Sequence, residues 1–281
     1  MRFKQLVLVS IFYGAVIAVF ADDQSKPVAL SETPDAVQKA IRAQINGGEL
    51  GEIDVETNGE EMIYDVELTG TNDEERDFSV ADDGTLLSVE VPLAETPAAA
   101  QKSIQTLMKQ GELESIDKNL DDTEITYDIE LVAKNGREKD FTIADDGTLL
   151  SEEVPLVETP EAVQKTIASQ LNGGKVESID KNFDDDGINY DVEITTKGNS
   201  EKNFNVEENG KLSSVQVALE ETPRPVQKTI RNQIGDGKIL EIDRSFDKER
   251  GAFPYEVQGR KNGKPFDFSV GPRGRFLGMD D

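Results

Sequence analysis

Apolar positions follow two rhythms in turn, and the pair of rhythms occurs four times along the chain. The first has a step of four. Val37, Ile41 and Ile45 form one apolar stripe, which predicts a helix of about three turns. Thr33 and Pro34 ahead of it read as a hydroxyl N-cap and a proline at the first helical position. Asn46-Gly47-Gly48 reads as its stop, because glycine accepts left-handed backbone. The second rhythm has a step of two and predicts strands. Leu50, Ile53 and Val55 mark a first strand. In the second, Tyr64, Val66 and Leu68 alternate with Asp65 and Glu67. Phe78 and Val80 mark a third, and Leu86 to Val91 a fourth. Asp82-Asp83-Gly84 between the last two is hairpin chemistry.

This grammar repeats with a fixed period. Glu-Thr-Pro begins at Glu32, Glu95, Glu158 and Glu221, 63 residues apart each time. Periods of 30–92, 93–155, 156–218 and 219–281 tile the chain from Leu30 to Asp281. The second strand recurs as Ile125-Tyr127-Ile129-Leu131 and Ile188-Tyr190-Val192-Ile194. The third recurs as Phe141/Ile143, Phe204/Val206 and Phe268/Val270. The expectation is an α+β protein of four tandem modules, each one α-helix packed on a four-stranded antiparallel sheet. One helix covers one face, so the core set is Val37, Ile41, Ile45, Tyr64, Val66, Leu68, Phe78 and Val80. A module of about 60 residues lies near the lower limit for independent folding, so packing between modules is expected to help. The linkers Pro92-Leu93-Ala94 and Pro155-Leu156-Val157 are short and lack Gly/Ser, which restricts orientation. Pairing, stacking and a string of beads all remain open.

Residues 1–21 read as a signal peptide. Arg2 and Lys4 are its positive start, Leu6 to Phe20 its apolar run, and Val19 and Ala21 a plausible cleavage site. The run is short for a membrane span, and nothing later is apolar enough for one. The expected location is secreted or periplasmic, with no transmembrane segment once the leader is cleaved; the alternative is a retained N-terminal anchor.

Composition removes most chemistries. The chain has no Cys, so no disulfide, thiolate zinc site, iron–sulfur cluster or cysteine nucleophile exists. It has no His, so no Ser-His-Asp triad and no imidazole ligand. A formal charge of −27 repels phosphate backbones, which argues against nucleic acid as a partner. A carboxylate-based hydrolase would need aromatic sugar platforms, yet Trp is absent and nearly every Phe and Tyr occupies a repeating core position. No cofactor is implied and no catalytic residue is nominated.

The ordered set of motifs resembles PepSY-like domains. A Thr-Pro-x-x-x-Gln-Lys-x-Ile helix is followed by a glycine stop, a Glu-x-Ile-Asp strand, a Tyr-Asp-Val-Glu strand, a Phe-x-Val strand and an Asp-Asp-Gly-x-Leu turn. The resemblance extends to the β-lactamase-inhibitor-like, PepSY-like group and covers all four periods. It implies a helix on a four-stranded antiparallel sheet, an exported bacterial protein, and a non-catalytic module that binds or restrains another protein, often a peptidase. The fourth period departs from the pattern, with Phe253-Pro254-Tyr255 in its second strand and Gly271-Pro272-Arg273-Gly274 at the hairpin.

Three features are candidate sites. Asp65 and Glu67, Asp128 and Glu130, and Asp191 and Glu193 share the outer face of the second strands. They suit a basic protein surface or a cation; the plainer reading is a solvated face that keeps the sheet soluble. Asn182, Asp184, Asp186, Gly187 and Glu193 have the offsets of a calcium loop, although their flanks read as strands. On the last helix Arg224, Lys228 and Arg231 make one cationic stripe. It reads either as a docking end or as the solvated face of a divergent cap. The leading expectation is an exported, non-enzymatic protein-binding repeat protein that restrains a peptidase or similar partner. The alternative is an acidic envelope or extracellular protein binding divalent cations weakly and multivalently.

Overall fold

The structure, a computed structural model, describes residues 26–45, 47–58, 60–71, 75–120, 124–171, 173–184, 187–197, 201–246 and 253–279. The leader at 1–21 and Asp186 lie outside the described residues. Repeat one contains Lys26–Pro27 (β1), Asp35–Gln44 (α1), Glu49–Asn58 (β2), Glu61–Thr69 (β3), Phe78–Ala81 (β4) and Leu86–Glu90 (β5). Repeat two contains Ala98–Leu107 (α2), Gly111–Asn119 (β6), Thr126–Ala133 (β7), Glu138–Ala144 (β8) and Leu149–Glu153 (β9). Repeat three contains Glu161–Leu171 (α3), Lys175–Asp184 (β10), Gly187–Thr195 (β11), Glu201–Glu207 (β12) and Leu212–Gln216 (β13). Repeat four contains Arg224–Ile234 (α4), Lys238–Ser245 (β14), Tyr255–Lys261 (β15), Lys264–Val270 (β16) and Phe276–Met279 (β17).

The strands do not divide into four separate four-stranded sheets, which corrects the expected fold. Each fourth strand pairs with the first strand of the next repeat: β5 with β6, β9 with β10 and β13 with β14. Among the described residues the product is one antiparallel sheet of 17 strands in which sequence neighbours are spatial neighbours. The reason is the edge that an isolated module would leave open. A fourth strand presents unpaired N–H and C=O groups, and the following first strand satisfies them.

Each helix rests on one face of its own stretch of sheet. Under α1, Val37 and Ile41 pack with Ile53, Tyr64, Val66, Leu68, Phe78 and Val80, while Ile45 is partly buried at the margin. Matching clusters lie under α2, α3 and α4. The Thr-Pro motif acts differently from expectation. Thr33 closes a 3-10 turn over Leu30–Glu32, its hydroxyl donating to the Leu30 carbonyl at 3.0 Å, and Pro34 occupies the N-cap position. The glutamine of the motif ties helix to turn. Gln38, Gln101, Gln164 and Gln227 donate to the carbonyls of Thr33, Thr96, Thr159 and Thr222 at 2.9, 2.8, 2.8 and 2.8 Å.

The acidic hairpins also serve the helices. Gly84, Gly147, Gly210 and Gly274 all have φ between 79° and 87°. A Cβ on any of them would lie 2.4–2.8 Å from a carbonyl oxygen of the facing helix. Glycine is therefore required both for backbone sign and for space. Gly274 fills this role in repeat four even though its neighbours there are Pro272 and Arg273.

The sheet curls until its first and fourth repeats touch. The Glu60 N–H donates to the Ile239 carbonyl at 2.9 Å, and the Ile239 N–H donates back to the Glu60 carboxylate at 3.0 Å. Arg260 Nε donates to Glu61 Oε2 at 3.1 Å, with both side chains only 2% exposed. Lys238 pairs with Asp82 beside them. We refer to this contact as the clasp.

Candidate functional site

Residues registered opposite one another on neighbouring strands share a face. The helix-free face of the sheet is thereby defined; acid groups recur along it, interrupted in repeat one by the buried apolar cluster of Ile63, Ala81 and Leu87. Asp54 lies opposite Asp65, Asp117 opposite Asp128, Asp180 opposite Asp191, and Asp243 opposite Glu256. Like charges directly across a strand pair are unfavourable, so this arrangement needs compensation.

Part of that compensation is hydrogen bonding. Ser79 donates to Asp65 at 2.5 Å. Asp128 accepts from Asn119 at 2.9 Å and from Thr142 at 2.7 Å. Asp191 accepts from Asn182 at 2.6 Å and from Asn205 at 2.8 Å. In repeats two and three the second-strand aspartate is thus held between an asparagine of the strand before it and a polar residue of the strand after it.

The rest of the compensation is protonation. Burial, aided by Glu90, Asp128 and Asp77, pushes the Asp117 carboxyl up to about 7. Burial, then Asp191, Glu153 and Asp140, pushes Asp180 up to about 8. Burial, then Glu241 and Asp191, pushes Asp243 up to about 8. Asp65 and Asp191 are also raised, chiefly by burial and against their hydrogen bonds. Burial and then Asp140 bring Glu130 up to about 7, while burial and then Glu201 raise Glu193.

The predicted site residues fall on two sides of the molecule. Asp65, Glu67, Asp128, Glu130, Asp191 and Glu193 all lie on the helix-free face; Glu67 is exposed and the others are half-buried. Arg224, Lys228 and Arg231 are exposed on α4, on the helix side. They therefore do not meet the acidic residues of their own sheet.

The described members of the calcium-loop set, Asn182, Asp184 and Glu193, are each engaged separately along the hairpin. Asn182 and Glu193 sit in the hairpin of β10 and β11, where Asn182 registers with Asn189 and Glu193 with Ser178. Asn182 donates to Asp191, Asp184 accepts from Asn189, and Glu193 accepts from Ser178 at 3.5 Å. A hairpin spreads these ligands along two strands where a calcium loop would wrap them about a point. Among the described residues, no group of three or more acidic side chains could hold a metal ion.

The first-strand aspartates Asp54, Asp117, Asp180 and Asp243 are the site residues that the sequence reasoning missed. Their signal was present, because each ends the Ile-Asp step of the recurring first strand. Only the apolar positions of that strand were read, and its aspartates were passed over.

These features define a class: an antiparallel sheet with helices on one side and a carboxylate-lined face on the other. The family described as "Putative beta-lactamase-inhibitor-like, PepSY-like" matches residues 62–151, 127–214 and 189–264. The chain belongs to this PepSY-like family. Each match begins in a second strand and runs into the next repeat, so it crosses a joint between repeats.

Several solved structures are similar to it. A "putative calcium-regulated periplasmic protein" from Bacteroides thetaiotaomicron is 20% identical, with 46% of this chain and 95% of that one covered and a TM-score of 0.29. A BLIP-like protein from Bacteroides fragilis is 18% identical, with 43% and 84% covered and a TM-score of 0.31. A periplasmic protein from Bacteroides eggerthii is 15% identical, with 43% and 87% covered and a TM-score of 0.33. None of the curated proteins searched matches the chain. Among the described residues, no helix is long and apolar enough to cross a membrane.

Proposed function

We propose that the chain is an exported, non-enzymatic binding protein that captures a basic segment of a protein partner on its helix-free face. One observation carries this reading. A single sheet carries acid groups in registered rows through all four repeats, and among the described residues no helix lies on that side. A carboxylate-lined surface attracts a cationic partner by long-range steering and selects it by charge. Family membership supports the reading, because the family takes its description from inhibitors of an enzyme. Export rests on the leader, with Arg2 and Lys4 before the apolar run. Restraint of a peptidase is the inhibitor-like form of the proposal.

The test is capture of one stoichiometric partner by the full chain from the exported fraction, followed by titration at 50 and 300 mM salt. The expected result is saturable binding that weakens with salt and weakens again in Asp65→Asn/Glu67→Gln. Saturable binding indifferent to both changes would move the site off this face. No saturable partner would sink the proposal.

A further inference from the structure

The joints between repeats are narrow seams, registered at three residue pairs each, and at the first two of them acid groups meet across the pair. The hairpin of β10 and β11 is registered over Lys175 to Asp184, whereas joint two is registered only at Ser151, Glu152 and Glu153. At joint one Glu90 lies directly opposite Asp117, whose other neighbour is Asp128. At joint two Glu153 lies opposite Asp180, whose other neighbour is Asp191. A further member completes each row. The Glu90 N–H donates to the Asp77 carbonyl at 2.8 Å, and the Asp140 and Glu153 carboxyls hydrogen-bond each other.

A hydrogen bond between two carboxyl groups exists only while one of them keeps its proton. Water does little to dissipate the charge here, since Asp180 is 7% exposed. The charged groups bearing on joint two are Asp140, Glu153, Asp180, Asp191, Glu193, Glu138 and Arg137. One cation thus answers six carboxyl groups. Lys181 gives no further relief: it pairs with Glu152, the next residue along each strand, so it points to the opposite face.

We propose that joints one and two are proton-linked, so that protonated carboxyls hold the repeats on either side in one sheet and their ionisation as pH rises through neutrality loosens the seam. This goes beyond the binding proposal and does not depend on what the face binds. The titration range agrees with the geometry: burial first, and then neighbouring carboxyls, push Asp117 and Glu153 up to about 7 and Asp180 to about 8. An acid raised in the folded state contributes its full stabilisation below its ordinary value of about 4 and loses it as pH climbs through the folded value. These groups therefore hold the seam most firmly below about pH 4 and most weakly above about pH 8.

Amide hydrogen exchange on the full chain tests this directly. The Val154 N–H donates to the Ile179 carbonyl across joint two, and the Val91 N–H donates to the Ile116 carbonyl across joint one, each at 2.8 Å. After correction for intrinsic rates, protection of both amides should fall about tenfold or more from pH 5.5 to 8.5, the factor carried by one unit of pKa. Amides inside the β10–β11 hairpin should keep theirs. Glu153→Gln/Asp180→Asn should preserve Val154 protection at pH 8.5 while Val91 still loses its own. Glu153→Gln alone should preserve it in part, which covers failure of the double variant to fold. Equal protection of wild type at the two pH values overturns the proposal. So does an undiminished loss at Val154 in the variants.

Discussion

Ile104 on the sheet-facing side of α2 and Asp180 on the opposite side of the sheet are both removed from water, at 0% and 7% exposure. Ile104 sits among Ile116, Tyr127, Ile129, Leu131 and Phe141, where burial is itself the stabilising term. Asp180 sits between Glu153 and Asp191, where burial is a cost met by keeping a proton. One sheet therefore has a face indifferent to pH and a face governed by it. Cohesion inside a repeat belongs to the first face, and cohesion between repeats is placed on the second.

The sharpest way to break this contrast is to place an unanswered charge on the polar face. Arg260→Ala leaves the buried Glu61 carboxylate in the clasp without its cation, an arrangement that costs roughly 3–5 kcal/mol. Burial raises Glu61 against the pull of Arg260. The least costly escape for the chain is to separate repeat one from repeat four and rehydrate Glu61. Small-angle scattering should report an expanded molecule, and the Glu60 amide should lose protection. Arg260→Met with Glu61→Leu should close the clasp again. An unchanged radius in Arg260→Ala would show that the curl is held by something other than this pair.

A smaller effect is expected where hairpin meets helix. Gly147 has φ 84°, and a Cβ there would lie 2.7 Å from the Ala99 carbonyl oxygen. Gly136 has a similar φ of 77° but nothing within 4 Å of the same position. Gly136→Ala should cost only the backbone term, roughly 1–2 kcal/mol. Gly147→Ala adds the collision with the helix and should cost roughly 1–3 kcal/mol beyond it. Urea midpoints of the two variants separate these contributions. Equal losses would mean that α2 yields without cost.

The helix side was the more legible half of the fold. Its pattern needs only apolar residues at the right period, so Val37, Ile41, Tyr64, Val66, Phe78 and Val80 could be placed in the core before any coordinates. The other side was misjudged because alternation reports which face a residue takes, not how far that face is curved or covered. Asp128 and Asp191 read as solvated, yet each is half-buried and held by hydrogen bonds from both flanking strands. The strand pairing between repeats was hidden for a related reason. Short linkers restrict orientation without choosing it, and the choice falls to the open strand edge. Thr33 misled through local similarity, since a hydroxyl before proline resembles a helix cap while here it closes the preceding turn.

The smallest effect is expected outside both faces. Arg224, Lys228 and Arg231 carry the same charge as Arg260 and belong to the same repeat, but they stand in water on α4. Arg231 approaches Glu220 at 3.6 Å with side chains 56% and 76% exposed, a pair that contributes little. Replacing all three with glutamine should move stability by no more than about 0.5 kcal/mol, since no buried partner is stranded. A larger loss in urea melts would mean that α4 is charge-coupled to the sheet and would erase the difference from Arg260. With stability unchanged, any loss of partner affinity in this variant is a direct reading of docking through repeat four. A basic end on so acidic a chain then either binds an acidic surface or merely faces solvent, and the one measurement decides between them.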